Sequence, residues 1–180
     1  MRPENPPHPP FGKGGSHENP PQPPFVKGGS HASGGGILSR YKRPESVLVV
    51  VYTAAGEVLV LRRCQPPDFW QSITGSLRWE ETSPLDAARR ELREETGLGD
   101  NVDVVNCGIV NRFPILPPWR HRYAPEAMEN IEYGFRACLP ERWPVVLNPA
   151  EHSEYQWLPR AQAVARVASW TNRDAILQLP

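Results

Sequence analysis

Three glutamates stand close together near the middle of the chain, in the run Arg-Glu-Leu-Arg-Glu-Glu at residues 90–95. At the 100° rotation per residue of an α-helix, Glu91, Glu94 and Glu95 fall on one face. Two carboxylates ~6 Å apart repel each other by roughly 3 kcal/mol at an effective dielectric constant of 20, so this face needs positive charge nearby. Neighbouring arginines and divalent cations are two ways to supply it. The run is therefore consistent with a solvated, ion-paired helix surface and with a metal site.

The residues around these glutamates predict a well-delimited helix over 84–96. Ser83 is a favourable N-cap, Pro84 suits the first helical position, and Gly97 suits a left-handed residue after the last turn. An apolar stripe beside the acidic face is expected to pack on a sheet, and it consists of Leu85, Ala88 and Leu92. The acids would then lie at the border of the core.

Apolar and β-branched runs predict strands before and after this helix. Strands are expected at 46–53, 57–62, 69–74, 102–113, 131–139 and 153–158, with a Pro-rich loop at 114–125. Two further helices are expected at 160–169 and 172–179, the second capped by Asn172. Strands that alternate with helices in this way favour an α/β protein with a mixed β-sheet covered on both faces.

The first 38 residues have a composition unlike the rest of the chain. Residues 1–40 contain 9 of the 22 prolines and 8 of the 14 glycines, and residues 4–31 are two copies of a 14-residue repeat, ENPPHPPFGKGGSH and ENPPQPPFVKGGSH. With one Phe per copy, the repeat cannot bury enough apolar surface to offset its ordering entropy. We expect a disordered Pro/Gly-rich tail over 1–38 and one domain over 39–180. The tail is either a ligand for a proline-recognising partner or dispensable.

The body of the chain is nearly neutral, with 16 basic and 18 acidic residues in 41–180. This balance argues against general nucleic-acid binding, which requires a basic surface. The three cysteines are widely spaced, which indicates reduced thiols rather than a disulfide framework or a zinc site. The sequence has neither an apolar run long enough to cross a membrane nor a secretory signal, so we expect a cytoplasmic protein without membrane partners.

The segment Gly75–Leu98, GSLRWEETSPLDAARRELREETGL, resembles the Nudix box G-x5-E-x7-R-E-U-x-E-E-x-G-U, in which U is a bulky aliphatic residue. The matching positions are Gly75, Arg90, Glu91, Leu92, Glu94, Glu95, Gly97 and Leu98. Glu81 follows Gly75 at the family distance, but eight residues rather than seven separate it from Arg90. We interpret this departure as one extra loop residue near Thr82 and Ser83.

The resemblance implies a Nudix-type α/β/α sandwich and a metal-dependent reaction in which water attacks a phosphorus of a diphosphate linked to another moiety. It makes Glu91, Glu94 and Glu95 catalytic metal ligands. Glu151 resembles the distant carboxylate that joins the metal site or acts as general base. Mg²⁺, or Mn²⁺ in its place, suits a set of carboxylate oxygens. From the residues alone, Glu151 is better explained as part of a polar surface stretch that also contains Glu154.

Five further stretches resemble the bacterial dihydroneopterin triphosphate pyrophosphohydrolases, Nudix enzymes of folate biosynthesis. These are Tyr41–Pro44, Asp68–Ser76, Arg120–Pro125, Glu151–Leu158 and Ser169–Arg173. This resemblance implies hydrolysis of 7,8-dihydroneopterin triphosphate to the monophosphate and pyrophosphate. Two alternatives stay open: a Nudix (deoxy)nucleoside triphosphate pyrophosphohydrolase, and a Nudix-fold binding module without catalysis, which the retained glutamates disfavour.

The same resemblance implies a set of substrate contacts: Lys42, Arg62, Thr74, Phe113, Ile115 and Ser169. Lys42 is the only lysine in 41–180 and stands where a cation can meet phosphate oxygens. Phe113 and Ile115 would line the pocket of the flat pterin ring. Each position also has a plain structural explanation: surface charge for Lys42 and Arg62, core packing for the two apolar residues, and an element end for Thr74 and Ser169.

Overall fold

The structure, a computed structural model, describes residues 40–99 and 101–180, so the predicted tail over 1–38 lies outside the described residues. The elements run in the order β1 (Glu45–Thr53), β2 (Glu57–Arg63), β3 (Trp70–Gln71), β4 (Ile73–Ser76), α1 (Pro84–Thr96), β5 (Val104–Pro114), α2 (Pro117–Arg120), β6 (Glu129–Leu139), β7 (His152–Pro159), α3 (Arg160–Arg166) and α4 (Trp170–Leu177). None of the helices in the described ranges is long and apolar enough to cross a membrane.

The described strands form one mixed, open sheet around β1. Its main path runs β3-β2-β1-β6-β5, with β4 also paired to β1 and β7 to β2. The β1 and β6 strands are parallel and pair in register over the whole length of β1, from Glu45 opposite Ile131 to Thr53 opposite Leu139. The other strand pairs are antiparallel. The β4 strand pairs with the first half of β1, and β2 pairs with the second half, on the same side of β1. The sheet therefore has a gap between β4 and β2.

Helices cover both faces of this sheet, as the continuous apolar run of β1 predicts. Val47, Val49 and Val51 face the layer that contains α1, whereas Leu48 and Val50 face the layer that contains α3 and α4. Each of these five side chains is almost completely buried. The expected α/β/α arrangement with a mixed sheet is confirmed.

Four local expectations differ from the structure. The helix expected over 160–169 ends at Arg166, because Val167 has an extended backbone. The strand predicted over 69–74 is broken at Ser72, because the Ser72 N–H donates to the Asn172 side chain (2.6 Å) instead of to a neighbouring strand. The last helix begins after Ser169, whose hydroxyl accepts from the Asn172 N–H (3.2 Å), so Ser169 rather than Asn172 is the cap. The Pro-rich loop contains the short helix α2.

The α1 helix has the predicted bounds and the predicted caps. The Ser83 hydroxyl accepts from the Asp86 N–H at 3.3 Å, and Pro84 occupies the first turn. Gly97 adopts a left-handed conformation with φ 69° and donates to the Arg93 carbonyl at 2.9 Å. These caps satisfy backbone groups that a helix leaves unpaired at its ends. They fix the two ends of α1 and thereby the position of its glutamates relative to the sheet.

Replacing the N-cap residue of α1 is expected to destabilise the fold by the free energy that one capping hydrogen bond contributes. Ser83→Ala should lower the free energy of unfolding by ~1 kcal/mol. Thr82→Ala changes the exposed residue just before the cap and should have no measurable effect. Urea denaturation of both variants tests this; an equal loss in the two would contradict the role of Ser83.

Candidate active site

Arg90 binds three carboxylates at one edge of the site. Its Nε and Nη2 donate to Glu81 at 2.7 and 2.9 Å, and its Nη1 donates to Glu91 at 2.5 Å and to Glu94 at 3.1 Å. Hydrogen bonding by Arg90 lowers the pKa of Glu81. Glu81 also accepts from the Arg78 backbone N–H at 2.7 Å. The extra loop residue therefore does not prevent Glu81 from reaching Arg90.

Glu91 lies on the backbone of β4, against Gly75. A Cβ atom at position 75 would sit 1.8 Å from the Glu91 carboxyl carbon, so a larger residue at 75 would push the Glu91 side chain away. Glu91 is buried, and this burial raises its pKa, while the hydrogen bond from Arg90 opposes the rise. Gly75 thus permits the close approach of an acidic side chain to the sheet.

Glu95 is the most deeply buried acid of the cluster, with 1% of its surface exposed. Neither of its carboxylate oxygens has a hydrogen-bond partner among the described residues. Burial raises its pKa well above the usual value, and the charges of Glu91 and Glu151 add to the rise. A buried carboxylate without partners is costly. This position is therefore suited to a bound cation.

Glu95, Glu151 and His152 form a group that can hold a metal ion. One ligand atom from each lies within 4.8 Å of the other two. The His152 Nε2 atom is 3.8 Å from Glu95 Oε2 and 3.4 Å from Gln71 Nε2. Burial, with a smaller effect of Arg63, lowers the pKa of His152 to about 4, so its ring is neutral at pH 7. Two carboxylates beside a neutral imidazole fit a divalent cation.

Glu94 occupies a different position from the other acids of α1. Its side chain is 44% exposed and accepts from Arg78 at 2.8 Å and from Arg90 at 3.1 Å. Glu91 and Glu95, by contrast, are buried, and the charge of Glu151 raises the pKa of both. The structure therefore brings together Glu91, Glu95 and Glu151, which we call the acidic cluster, and leaves Glu94 at its arginine-lined edge.

Lys42, just before β1, lies at the acidic cluster. Burial and the Arg122 guanidinium lower the pKa of its ammonium, whereas Glu91 and Glu151 raise it. Its backbone N–H donates to the Arg122 carbonyl at 2.8 Å. A cation thus lies beside two of the predicted metal ligands, and the substrate contact expected at Lys42 stays a prediction.

Arg62 points away from the acidic cluster, whereas the next residue, Arg63, lies beside it. Arg62 pairs with Asp68 at 2.7 Å and with Glu154 at 3.5 Å. Arg63 stands opposite His152 in the sheet, and its charge shifts the pKa values of Lys42, Glu95 and His152. Successive side chains of a strand point to opposite faces. The substrate contact expected at Arg62 stays a prediction, and Arg63 is the arginine whose charge reaches the acidic cluster.

Thr74 lies beside the acidic cluster, in β4. Its hydroxyl accepts from Gln71 Nε2 at 2.9 Å. Its backbone N–H is close enough to Glu95 to oppose, to a small extent, the rise in the pKa of that carboxyl. The expected contact at Thr74 thus lies next to the metal-binding group.

Phe113, Ile115 and Ser169 lie apart from the acidic cluster. Phe113 stands opposite Asn130 near the end of β5, and the Ile115 N–H donates to the Met128 carbonyl at 2.9 Å. Ser169 caps α4, on the other side of the sheet from α1. These three residues belong to a separate region.

Sequence reasoning did not select His152, Arg63 or Gln71. Two signals were available in the printed sequence. His152 directly follows Glu151, and Arg63 continues the alternation of Leu59 and Leu61, which face α1. No local pattern points to Gln71, which reaches His152 only through the pairing of β3 and β7 with β2.

The chain is similar in sequence to a known domain family and to two bacterial enzymes of one name. The model of the NUDIX domain matches residues 42–179. The chain is 42% identical to the dihydroneopterin triphosphate diphosphatase of Escherichia coli (strain K12) over 77% of its own length and 93% of that protein. It is 36% identical to the enzyme of the same name from Haemophilus influenzae, over 78% and 89%.

Solved structures agree with these relatives. The structure of the E. coli dihydroneopterin triphosphate pyrophosphohydrolase matches with a TM-score of 0.72, covering 77% of this chain and 96% of that one. A Listeria monocytogenes structure described as a NUDIX hydrolase matches with a TM-score of 0.64 and 25% identity, over 76% and 91%. Because the family model covers most of the chain and the acidic helix has its motif, the chain belongs to the NUDIX family and is a hydrolase that acts on pyrophosphate bonds.

Proposed function

We propose that the chain hydrolyses 7,8-dihydroneopterin triphosphate to dihydroneopterin monophosphate and pyrophosphate. The observation that supports it best is the buried, unpartnered Glu95 beside Glu151 and His152, with Lys42 and Arg63 around them. Such a group suits a metal-bound polyphosphate. Relatives that carry the name of this reaction align over most of the chain. We place catalysis in residues 39–180 and treat 1–38 as a separate tail.

The acidic cluster would hold Mg²⁺, or Mn²⁺ in its place. Glu91, Glu95 and Glu151 provide the carboxylate oxygens that these ions prefer, and His152 stands beside them. Glu94 would contribute mainly by holding Arg90 against Glu91. When bound, such a cation neutralises phosphoryl oxygens and lowers the pKa of a coordinated water.

Side chains of the protein would supply the general base and the cations that bind the phosphate oxygens. Glu151 is exposed, and its Oε1 accepts from the Asn148 amide at 3.4 Å. In a state where Glu91 and Glu95 hold the cation, Glu151 can take a proton from an incoming water. The water oxygen attacks the α-phosphorus as its proton passes to the general base. The bond between the α-phosphorus and the oxygen that bridges to the β-phosphorus breaks, and pyrophosphate leaves with that oxygen. Lys42 and Arg63 would bind the phosphate oxygens on which charge accumulates.

The cleavage position is the direct test of this function. Incubation of dihydroneopterin triphosphate with the chain and Mg²⁺ should release one pyrophosphate per monophosphate formed. Coupled assays for pyrophosphate and for orthophosphate, with ATP as the comparison substrate, distinguish the outcomes. Sequential release of orthophosphate, or a clear preference for ATP, would contradict the proposal.

Glu95→Gln should separate catalysis from folding. Turnover is expected to fall by about 10²- to 10³-fold, because a preorganised charge at the reaction centre is lost. The pKa of Glu95 is higher in the folded protein than in the unfolded chain. Ionisation of Glu95 therefore destabilises the fold progressively as the pH rises above the pKa of Glu95 in the unfolded chain. The amide lacks this charge and should not lower Tm at pH 7 in EDTA.

Thermal melts with Mg²⁺ and with EDTA provide a second readout for this variant. Mg²⁺ should raise the Tm of the wild-type chain by binding the folded state, and Glu95→Gln should lose most of that rise. Glu141→Gln, at an exposed position, is the control. An active Glu95→Gln variant with an unchanged Mg²⁺ response would remove Glu95 from the metal site.

Two adjacent arginines offer a matched pair. Arg63→Ala should reduce kcat/KM by about 10- to 100-fold, the value of a charge-assisted hydrogen bond to phosphate. Arg62→Ala removes only the contacts to Asp68 and Glu154 at a partly exposed position and should cost less than ~1 kcal/mol of stability. Steady-state kinetics on both variants test the proposed role of Arg63, which a larger loss in Arg62→Ala would overturn.

A further inference from the structure

A second polar cluster lies on the face of the sheet opposite to the acidic cluster. Asn130 and Glu132 stand two residues apart in β6, so their side chains point to the same face. Tyr133 and Phe135 belong to the core on the α1 side, which places the other two on the α4 side. Asn130 is 4% and Glu132 5% exposed. We call Asn130 and Glu132 the acceptor pair.

The acceptor pair has one acceptor without a partner among the described residues and one carboxylate whose hydrogen-bond donors are neutral. The Asn130 amide donates to the Ser46 hydroxyl at 2.7 Å, but its Oδ1 is buried and has no partner among the described residues. Glu132 receives bonds from two neutral side chains, Thr171 and Asn111, the latter at 3.4 Å. Burial raises the pKa of Glu132 more than these two bonds lower it. Buried acceptors in this state are costly unless a ligand brings donors.

The surroundings of the acceptor pair suit a flat ring. Phe113 stands opposite Asn130 in the adjacent strand β5 and is half-buried, which leaves part of its aromatic surface available. The N-terminus of α4 borders the same region, where the Ser169 hydroxyl lies 3.2 Å from that of Thr171. An aromatic side chain beside buried acceptors is a common arrangement for heterocycle binding.

The acceptor pair is within reach of a ligand held at the acidic cluster. Ser46 in β1 pairs with Ser76 of β4 on one side and with Glu132 of β6 on the other. Two strand spacings, about 10 Å, therefore separate Glu132 from Ser76. Gly75, next to Ser76, contacts Glu91. A molecule with a ring and a triphosphate on a flexible chain can span both places.

We propose that Glu132 and Asn130 recognise the heterocycle of the substrate through its N–H groups. The Glu132 carboxylate accepts two parallel bonds from a ring edge that has an amino group beside a ring N–H, and Asn130 Oδ1 accepts a further N–H. The 2-amino-4-oxo edge of a pterin or a guanine has this pair of donors, whereas adenine offers a donor beside an acceptor. The inference rests on the proposed function, which supplies the phosphates bound at the acidic cluster.

Binding measurements on separate halves of the substrate test this assignment. In the full-length chain, Glu132→Gln should weaken the binding of unphosphorylated dihydroneopterin by about 10- to 100-fold, the value of a bidentate pair. The affinity for pyrophosphate with Mg²⁺ should stay within a factor of about two, because the acidic cluster is untouched. Glu129→Gln, at an exposed position of the same strand, should change neither affinity. Isothermal titration calorimetry measures both ligands.

The outcomes separate a recognition role from a structural one. Replacing a buried carboxylate by an amide should leave Tm at pH 7 unchanged or higher, so Glu132→Gln remains testable as a folded protein. Equal weakening for both ligands, or an unchanged affinity for dihydroneopterin, would overturn the assignment. A wild-type chain that binds dihydroneopterin but releases no pyrophosphate from its triphosphate would contradict the proposed function alone.

Discussion

The site depends on one electrostatic constraint: several carboxylates are held together where water cannot screen them. Within the part of the chain that the structure describes, the buried Glu95 carboxylate has no hydrogen-bond partner, and Glu91 beside it accepts from the Arg90 guanidinium. Repulsion between these neighbouring carboxylates would destabilise the fold unless positive charge lies close to them. Arg90 supplies part of it, and a divalent cation bound by Glu95, Glu151 and His152 would supply the rest. The electrostatic cost of the acidic cluster is thus the reason why we propose that it binds a cation.

The remaining structure positions this charge. The capped helix α1 presents Glu91 and Glu95 to the sheet, and Gly75 lets the strand backbone approach Glu91 without a side chain between them. Because β4 and β2 share the length of β1, the sheet opens beside these acids. Residues from β3 and β7 can then approach Glu95 from a side that α1 does not cover. A rigid frame of this kind keeps the charges close without letting them relax apart.

The two faces of the sheet have different chemistry, and the substrate proposed here uses both. The proposed metal and phosphate site lies on the α1 side, around Glu95. On the α4 side, Asn130 Oδ1 has no partner among the described residues, the buried Glu132 accepts from neutral side chains, and Phe113 lies beside them. The central strand β1 connects the two regions, since it pairs with β4 and with β6 in one continuous register. In the proposed complex, this pairing would keep the ring and the phosphates apart.

The sequence by itself determined the elements that local chemistry specifies. Caps and an apolar stripe predicted α1 to the residue, the β-branched run predicted the buried strand β1, and the motif spacing identified the acids of the family. Only the tertiary structure decided which groups meet. The pairing of β2 with β7 sets Arg63 opposite His152, which lies beside Glu95, and the pairing of β3 with β2 brings Gln71 to His152. Ion pairs with Arg78 and Arg90 hold Glu94 at the edge. Strand register and side-chain contacts between distant segments are long-range properties, and no local pattern of residues encodes them.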